Sequence, residues 1–403
     1  MSHDFNAELH ARPSIYFTGP AYVEHVALMP ERPTEHLREG GPSSIELEGA
    51  EGEARTRVEH HTEFVTVTRV TQIKEPVTDW PASRLTVHDF TKITGIGSAR
   101  LVSRVGIIVL GSAPEELGPF IAQLGFKDSA ASHIGGGSAH VCSDFRVGRD
   151  NTSRVLLFNR DLNSYRLGRM VRRIYEIETY RSMALLGLPQ ARRLGPLLDR
   201  FDAKLIELTE RNLKTAPGEH KDLLEDISVL SAQVISATAE TRHRFGATTA
   251  YAKIVEERIA ELREEHFPGF QRFGVFVVRR FKPAIRTCEA TSLRLDQLSR
   301  ATMHLIDLLQ TRIQFEIEYQ NASQIKAMAD RTAVQVKIQR AVEGFSIIAI
   351  SYYLLGILKV VVEASEHAGV HIDPAVMLIS IPVVLTAVAL LIFRVKHALK
   401  HES

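Results

Sequence analysis

The densest group of residues able to do chemistry is EHHTEF, Glu59 to Phe64. Imidazoles at His60 and His61 beside carboxylates at Glu59 and Glu63 are the side chains that ligate a transition metal or relay a proton. In an extended segment His61 and Glu63 share one face and His60 takes the other, so at most half of the set converges, and a surface strand end is the plain reading. A second group is EIETYR, Glu176 to Arg181, which on a helix puts Glu176 and Tyr180 on one face and Glu178 and Arg181 on another. A solvated salt ladder or interhelical hydrogen bonds account for that pattern without catalysis. A third group, Glu363, Glu366, His367, His371 and Asp373, crowds the polar segment VEASEHAGVHID. In an assembly of several copies such a ring gathers cations by focusing the field, whereas in a single copy it is a soluble turn. Last come Ser346, Ser351, Tyr352 and Tyr353, hydroxyls in an otherwise aliphatic stretch, preceded by the polar Gln324, Arg331 and Gln335. These suit bonds between helices or the lining of a pore.

No group completes a catalytic motif. HExxH, GxxxxGK[ST], GxSxG and paired CxxC are all missing from the sequence. GIGSAR (Gly95 to Arg100) and IGGGSAH (Ile134 to His140) lack the strand, helix and acidic residue of a nucleotide fingerprint, and read as turns in which glycine supplies a positive φ. The expectation is therefore a protein that is not an enzyme and uses no cofactor, with a metal ion as a possible ligand.

The elements that position these residues begin at the C-terminus. Two apolar runs, FSIIAISYYLLGIL and PAVMLISIPVVLTAVALLIF, flank the polar segment just described. The second, Pro374 to Phe393, carries no charge and matches the roughly 20 residues a helix needs to cross a hydrocarbon core. The first crosses if Lys359 snorkels to an interface, where Glu363, one turn on, can pair with it. Lys326, Arg331, Lys337 and Arg340 precede the hairpin and Arg394, Lys396 and Lys400 follow it, which predicts both termini in the cytoplasm and the loop outside. The expected location is a bacterial inner membrane, with lipid as a partner.

Composition agrees with a large soluble part ahead of this hairpin. Charged residues make up 24% and the formal net charge is +1, which gives no support to nucleic-acid binding. The two cysteines, Cys142 and Cys288, fit a reducing compartment, and the polar start MSHDFNAELHARPS lacks the apolar core of a signal peptide.

Along the chain, residues 1–160 read as a cytoplasmic α/β or α+β domain. TEFVTVTRVT, RVGIIVLG and SRVLLFNRDL have strand character, AHVCSDFRV more weakly, while the acidic ELEGAEGEA reads as a surface loop. SAPEELGPFIAQLG reads as a helix capped by Ser112 with Glu115 three residues on. Residues 161–282 form a long-helix region. A first amphipathic helix from Tyr165, with Arg172 and Glu176 as a pair, stops at Gly187 and Pro189; a second follows, and a third runs from His220 to His266. Residues 283–344 are a stalk: from Ala284 to Glu343 no Gly or Pro occurs, allowing one helix of about 90 Å. Leu295, Leu298, Leu305, Leu308 and Leu309 have heptad-like spacing, and below them the helix is polar on every face. Such a helix cannot stand alone in water and must pack on others, copies of itself being the obvious ones. Residues 345–394 are the two spans and 395–403 a basic tail.

Several of these segments together resemble an uncharacterised bacterial family, the membrane-anchored domain of unknown function numbered thirty-four twenty-two. They are ELHARP (Glu8 to Pro13), EHHTEF, SDFR (Ser143 to Arg146), EIETYR, RFGATTAY (Arg244 to Tyr251), RIAELREE (Arg258 to Glu265), PAIRTC (Pro283 to Cys288) and VEGFSIIAISYYLLG (Val342 to Gly356). The match spans nearly the whole chain and implies no activity. The architecture also looks like that of CorA-type divalent-cation transporters, pentamers built around the first of two C-terminal spans. Their Gly-Met-Asn triplet is missing here, where the segment reads GILKVVVEASEHAG, so magnesium selectivity does not carry over.

These readings combine into one expectation: an α+β chain of CorA-like architecture forming a homo-oligomer, a pentamer for preference, that acts as an ion channel or cation transporter. The alternative is a membrane-tethered scaffold whose cytoplasmic domain binds a protein partner.

Overall fold

The computed structural model describes residues 14–31, 44–48, 54–148, 150–216, 218–367, 369 and 374–400. The chain divides into two compact units, Met1–Asp307 and Leu308–Ser403. It is α+β, with one sheet and a larger share of helix.

The sheet has strands β1 (Ala21–Pro30), β2 (Ser44–Glu48), β3 (Ala54–His60), β4 (Val65–Gln72), β5 (Ala99–Leu110), β6 (Ala130–Ile134), β7 (Ala139–Val147), β8 (Thr152–Asn159) and the two-residue β9 (Glu265–His266). Their order is β2-β3-β4-β1-β5-β8-β7-β6-β9. Every pairing is antiparallel except β5 with β8, which run parallel because the chain between them folds into a helix and a hairpin that close on the far side of β8. That hairpin turns through Gly135, Gly136 and Gly137, all at positive φ, as the glycine-rich reading expected.

Strand β1 sits at the centre and alternates between two cores. Ala21, Val23 and Ala27 face one way, Val26 and Leu28 the other, and all are buried. The first face is covered by α3 (Ser164–Leu185), with help from α5 (His220–Glu261) and the start of α6 (Phe273–His367). The second is covered by α1 (Val87–Thr94), α2 (Leu117–Gln123) and Trp80. A strand buried on both faces carries no alternation of apolar and polar residues, and β1 buries even Glu24 and His25. The acidic stretch read as a loop begins as a strand: Ser44–Glu48 pairs with β3.

Helix α3 begins at Asn163, whose Oδ1 accepts from the Arg166 amide at 2.9 Å. It buries Leu167, Ile174, Ile177 and Met183 almost completely, each contributing roughly 1.5–3 kcal/mol of burial. A Cβ at Gly168 would collide with the Ile15 carbonyl oxygen, so glycine is what lets the N-terminal segment lie directly on this helix. Helix α4 (Leu188–Lys214) follows after Gly187 and runs beside α5.

Three boundaries differ from the sequence reading. Helix α2 starts at Leu117, with Glu116 at the N-cap and no side-chain cap, so Ser112 does not cap it. Helix α5 ends at Glu261, because Arg263 takes a positive φ and the chain then pairs as β9. Helix α6 starts at Phe273 and passes through Pro283, so the stalk begins before Ala284. The last helix, α7, spans Pro374–Lys400.

Candidate functional site

The two groups singled out in the sequence meet on one face of the sheet. Glu59 on β3 and Glu176 and Glu178 on α3 are all buried, at 4%, 8% and 1% exposure, so EIETYR is not a solvated ladder, while EHHTEF is the end of β3 with Glu59 turned inward and Thr62 exposed. Buried carboxylates persist only when paired. Arg172 supplies the pairing: its Nη1 lies 3.3 Å from Glu59 Oε1 and its Nε donates to Glu176 Oε1 at 2.6 Å. Arg258 of α5 donates to the other Glu176 oxygen and, through Nη1, to Glu261 at 2.8 Å, where Arg173 also donates. The result is a continuous run of alternating charge, Glu59, Arg172, Glu176, Arg258, Glu261 and Arg173, joining β3, α3 and α5. It is the interhelical alternative of the sequence reading.

Two smaller pairs flank this run. Glu63 accepts from Arg244 at 3.0 Å and lies 3.5 Å from His243. Glu178 accepts from Arg181 at 2.7 Å and from the Ser153 hydroxyl at 2.8 Å. Between the pairs lies an aromatic layer. His61 stacks on Phe64 at 4.2 Å, Phe64 meets Tyr180 and Tyr251 edge-on at 6.2 Å each, and the two tyrosines stack at 5.6 Å. EHHTEF, EIETYR, RFGATTAY and RIAELREE thus come together here.

Sequence reasoning missed His25, a single imidazole in a largely apolar segment, and Tyr175, which directly precedes EIETYR. His25 stacks on Tyr175 at 4.0 Å, and its Nδ1 lies 2.7 Å from Thr68 Oγ1. Burial holds His25 well below the usual imidazole range, and repulsion from His61 and Arg172 acts the same way. Burial also pushes the Tyr175 hydroxyl upward, Arg172 opposing and Glu59 and Glu176 reinforcing. The Arg172 guanidinium is raised further: burial works against its charge, but Tyr175, Glu59 and Glu176 outweigh that.

Chemically, the layer is locked. Glu59, Glu63, Glu176 and Glu178 are each paired with arginine, and among the described residues no three His, Cys, Asp or Glu side chains are placed to hold a metal ion. The metal reading of Glu59, His60, His61 and Glu63 gains nothing here. What the arrangement does is clamp α3 and α5 to the sheet.

The other sequence candidates lie on α6 and beyond it. Gln324, Arg331 and Gln335 are exposed, and their spacing of seven and four puts them on one stripe, which Ser346 continues. The Ser346 hydroxyl donates back to the Val342 carbonyl at 2.8 Å. Ser351 does not share the stripe: it lies on the opposite side and is 2% exposed, whereas Tyr352 is 75% exposed. Lys359 and Glu363 pair as expected, at 3.8 Å. Glu366 and His367 belong to the last turn of α6, their side chains outside the description, and His371 and Asp373 lie outside the described residues, as does ELHARP.

A family model described as protein of unknown function (DUF3422) matches residues 3–399. No curated protein and no solved structure matches the chain, so the architectural likeness to CorA-type transporters finds no support among solved structures.

Proposed function

This chain belongs to the family of proteins of unknown function DUF3422, and from that premise we propose a homo-oligomeric, membrane-anchored protein that conducts ions along an axis formed by copies of α6. One observation carries the reading: from residue 310 to residue 350 no side chain of α6 is buried. Phe315, Tyr319, Ile325, Met328 and Ile338 are each more than half exposed, on a helix with as many charged and amide side chains between them. A lone helix of this composition does not persist in water, so copies of the same segment cover it. The apolar side chains then pack between copies, and the stripe of Gln324, Arg331, Gln335 and Ser346 lines a wet axis.

Membrane insertion of the C-terminal part completes the proposal. Helix α6 contains a stretch long and apolar enough to cross a bilayer; the apolar part of α7, Leu378–Arg394, is shorter. Ile357, Val360, Leu378 and Phe393 are each at least 63% exposed, as lipid-facing side chains are. The first span lines the axis, and the loop with Glu363, Glu366, His367, His371 and Asp373 gathers cations at its mouth. Reconstitution into liposomes loaded with a cation-sensitive dye tests this: flux of a mono- or divalent cation supports it, and no flux from a verified oligomer removes conduction.

The scaffold reading is kept because Ile206 and Leu213 on α4 and Val229 and Ile235 on α5 are each more than half exposed. Removing residues 345–403 separates the two. A shortened chain that stays oligomeric and holds a protein partner favours the scaffold; one that falls to monomers without a partner favours the conducting assembly.

A further inference from the structure

Strand β7 is interrupted where it carries SDFR. Ser143 pairs with Val155 and Val147 with Ser153, so β7 advances four residues while β8 advances two. The extra residues form a bulge centred on Phe145, which takes φ of 54°. A bulky aromatic in the left-handed region is strained and needs surroundings that hold it there. The Ser143 hydroxyl does so by accepting from the Phe145 amide at 3.0 Å and donating to the Arg154 carbonyl at 2.7 Å. Asp144 accepts from the amides of Arg146 at 3.1 Å and Lys127 at 3.2 Å, so its two oxygens are occupied by the backbone.

The bulge turns Phe145 and Arg146 into a cavity of about 270 Å³ whose other wall comes from α3 and α6. Phe145 stacks on Phe276 at 4.9 Å, and the Arg280 guanidinium lies over the Phe276 ring at 3.5 Å. Three arginines line the space, Arg146 from β7, Arg181 from α3 and Arg280 from α6, together with two aspartates, Asp128 and the backbone-bound Asp144. Their counter-charges are unequal. Arg181 is matched by Glu178, though its buried Nε has no partner. Arg280 lies 3.8 Å from Asp128, a long contact between two exposed side chains and therefore worth little. The Arg146 guanidinium has no partner among the described residues. Asp128 itself has φ of 53°, so two of the four non-glycine residues at positive φ among the described residues border this one cavity. Strain of this kind concentrates at ligand sites, and bulges re-aim side chains beside them.

We propose that this cavity binds a phosphate oxyanion. A carboxylate is satisfied by one forked guanidinium, whereas three guanidinium groups from three elements suit the several oxygens of a phosphate, and the volume leaves room for the group that bears it. The phosphate comes from a soluble phosphate ester or from a phospholipid headgroup, and the experiment distinguishes them. The inference stands apart from the conducting assembly, since every residue in it precedes Leu308 and none is needed for conduction.

The test is calorimetric titration of the full chain in a neutral detergent at fixed ionic strength, with inorganic phosphate, acetate and a short-chain soluble phosphatidic acid as probes. Saturable binding of phosphate, weaker for acetate, and weakened about tenfold or more in both Arg146→Ala and Arg280→Ala, is the expected result. Arg146→Lys, which keeps the charge and loses the fork, falls between. Arginine-dependent binding of the phosphatidic acid alone assigns the site to a headgroup. The proposal is overturned if no probe binds, if acetate matches phosphate, or if binding is unchanged in the alanine variants. Arg193→Ala, on α4 far from this cavity in sequence and paired with Glu240, serves as the control and leaves binding unchanged.

Discussion

Arg172 on α3 and Glu59 on β3 stand 113 residues apart in the chain and meet with Nη1 at 3.3 Å from Oε1, tying the helix to the sheet through charge beside the apolar packing. The same guanidinium donates to Glu176, which is in turn held by Arg258, so one arginine joins a carboxylate of the sheet to one shared by two helices.

Removing the middle of this run breaks the link between its two halves, leaving Arg172 with Glu59 alone and Arg258 with Glu261 alone. Glu176→Ala is expected to destabilise the first unit by about 1.5–3 kcal/mol, the loss of charge-assisted hydrogen bonds from arginines that each keep one other carboxylate. The single tryptophan, Trp80, lies in that unit, so its fluorescence in a urea titration reads the loss directly. A shift below about 0.5 kcal/mol would mean that Glu59 and Glu261 alone satisfy the two arginines.

Protonation of His25 opposes folding. Its folded pKa lies well below the unfolded value near 6.5, so the unfolded chain binds the proton more readily. Stability is therefore complete above about pH 6.5 and falls as the pH drops below it, by up to about 1.4 kcal/mol per pH unit from this residue. His140, lowered by burial and by His133, adds in the same direction. His25→Gln should flatten the dependence of urea stability on pH between 6.5 and 5; an unchanged slope rules His25 out as its source.

Much of this was legible in the sequence, for reasons that differ by residue. The Arg172–Glu176 pair follows from helical spacing alone, and so does Lys359–Glu363. The turn at Gly135 to Gly137 follows from glycine's freedom at positive φ. Central strand β1 did not show, because burial on both faces erases the alternation by which strands are found. The union of EHHTEF with EIETYR did not show either: local spacing fixes which face a side chain takes, while the partner comes from an element over a hundred residues away. Likewise, SDFR reads as ordinary strand until the register of β8 reveals the bulge.

Gly168→Ala tests a contact rather than a charge. The added methyl meets the Ile15 carbonyl oxygen, a backbone atom with little room to retreat, and the expected loss is about 1–3 kcal/mol despite alanine's better helix propensity. A stabilised variant would show that residues 14–17 lift off α3 at little cost.

Both cysteines are free and buried. Burial pushes the Cys142 thiol up to about 12, with Asp144 adding to the effect, and burial likewise raises Cys288, with Glu289 contributing. Neither should react with maleimide at pH 7.5 in the folded protein, and both should react in 6 M guanidinium, a difference read by mass spectrometry. Rapid labelling of the folded chain would mean that the sheet face over Cys142 or the helix pair around Cys288 opens readily.

The central claim is that copies of α6 cover one another between residues 310 and 350. It is tested most directly by measuring the mass of the full-length protein in lipid nanodiscs by light scattering, with the lipid contribution subtracted. The expected result is a single species whose protein mass is a whole multiple of the chain mass, most simply five. A particle holding one chain, stable over the concentration range of the measurement, would contradict the claim and leave the exposed helix unexplained.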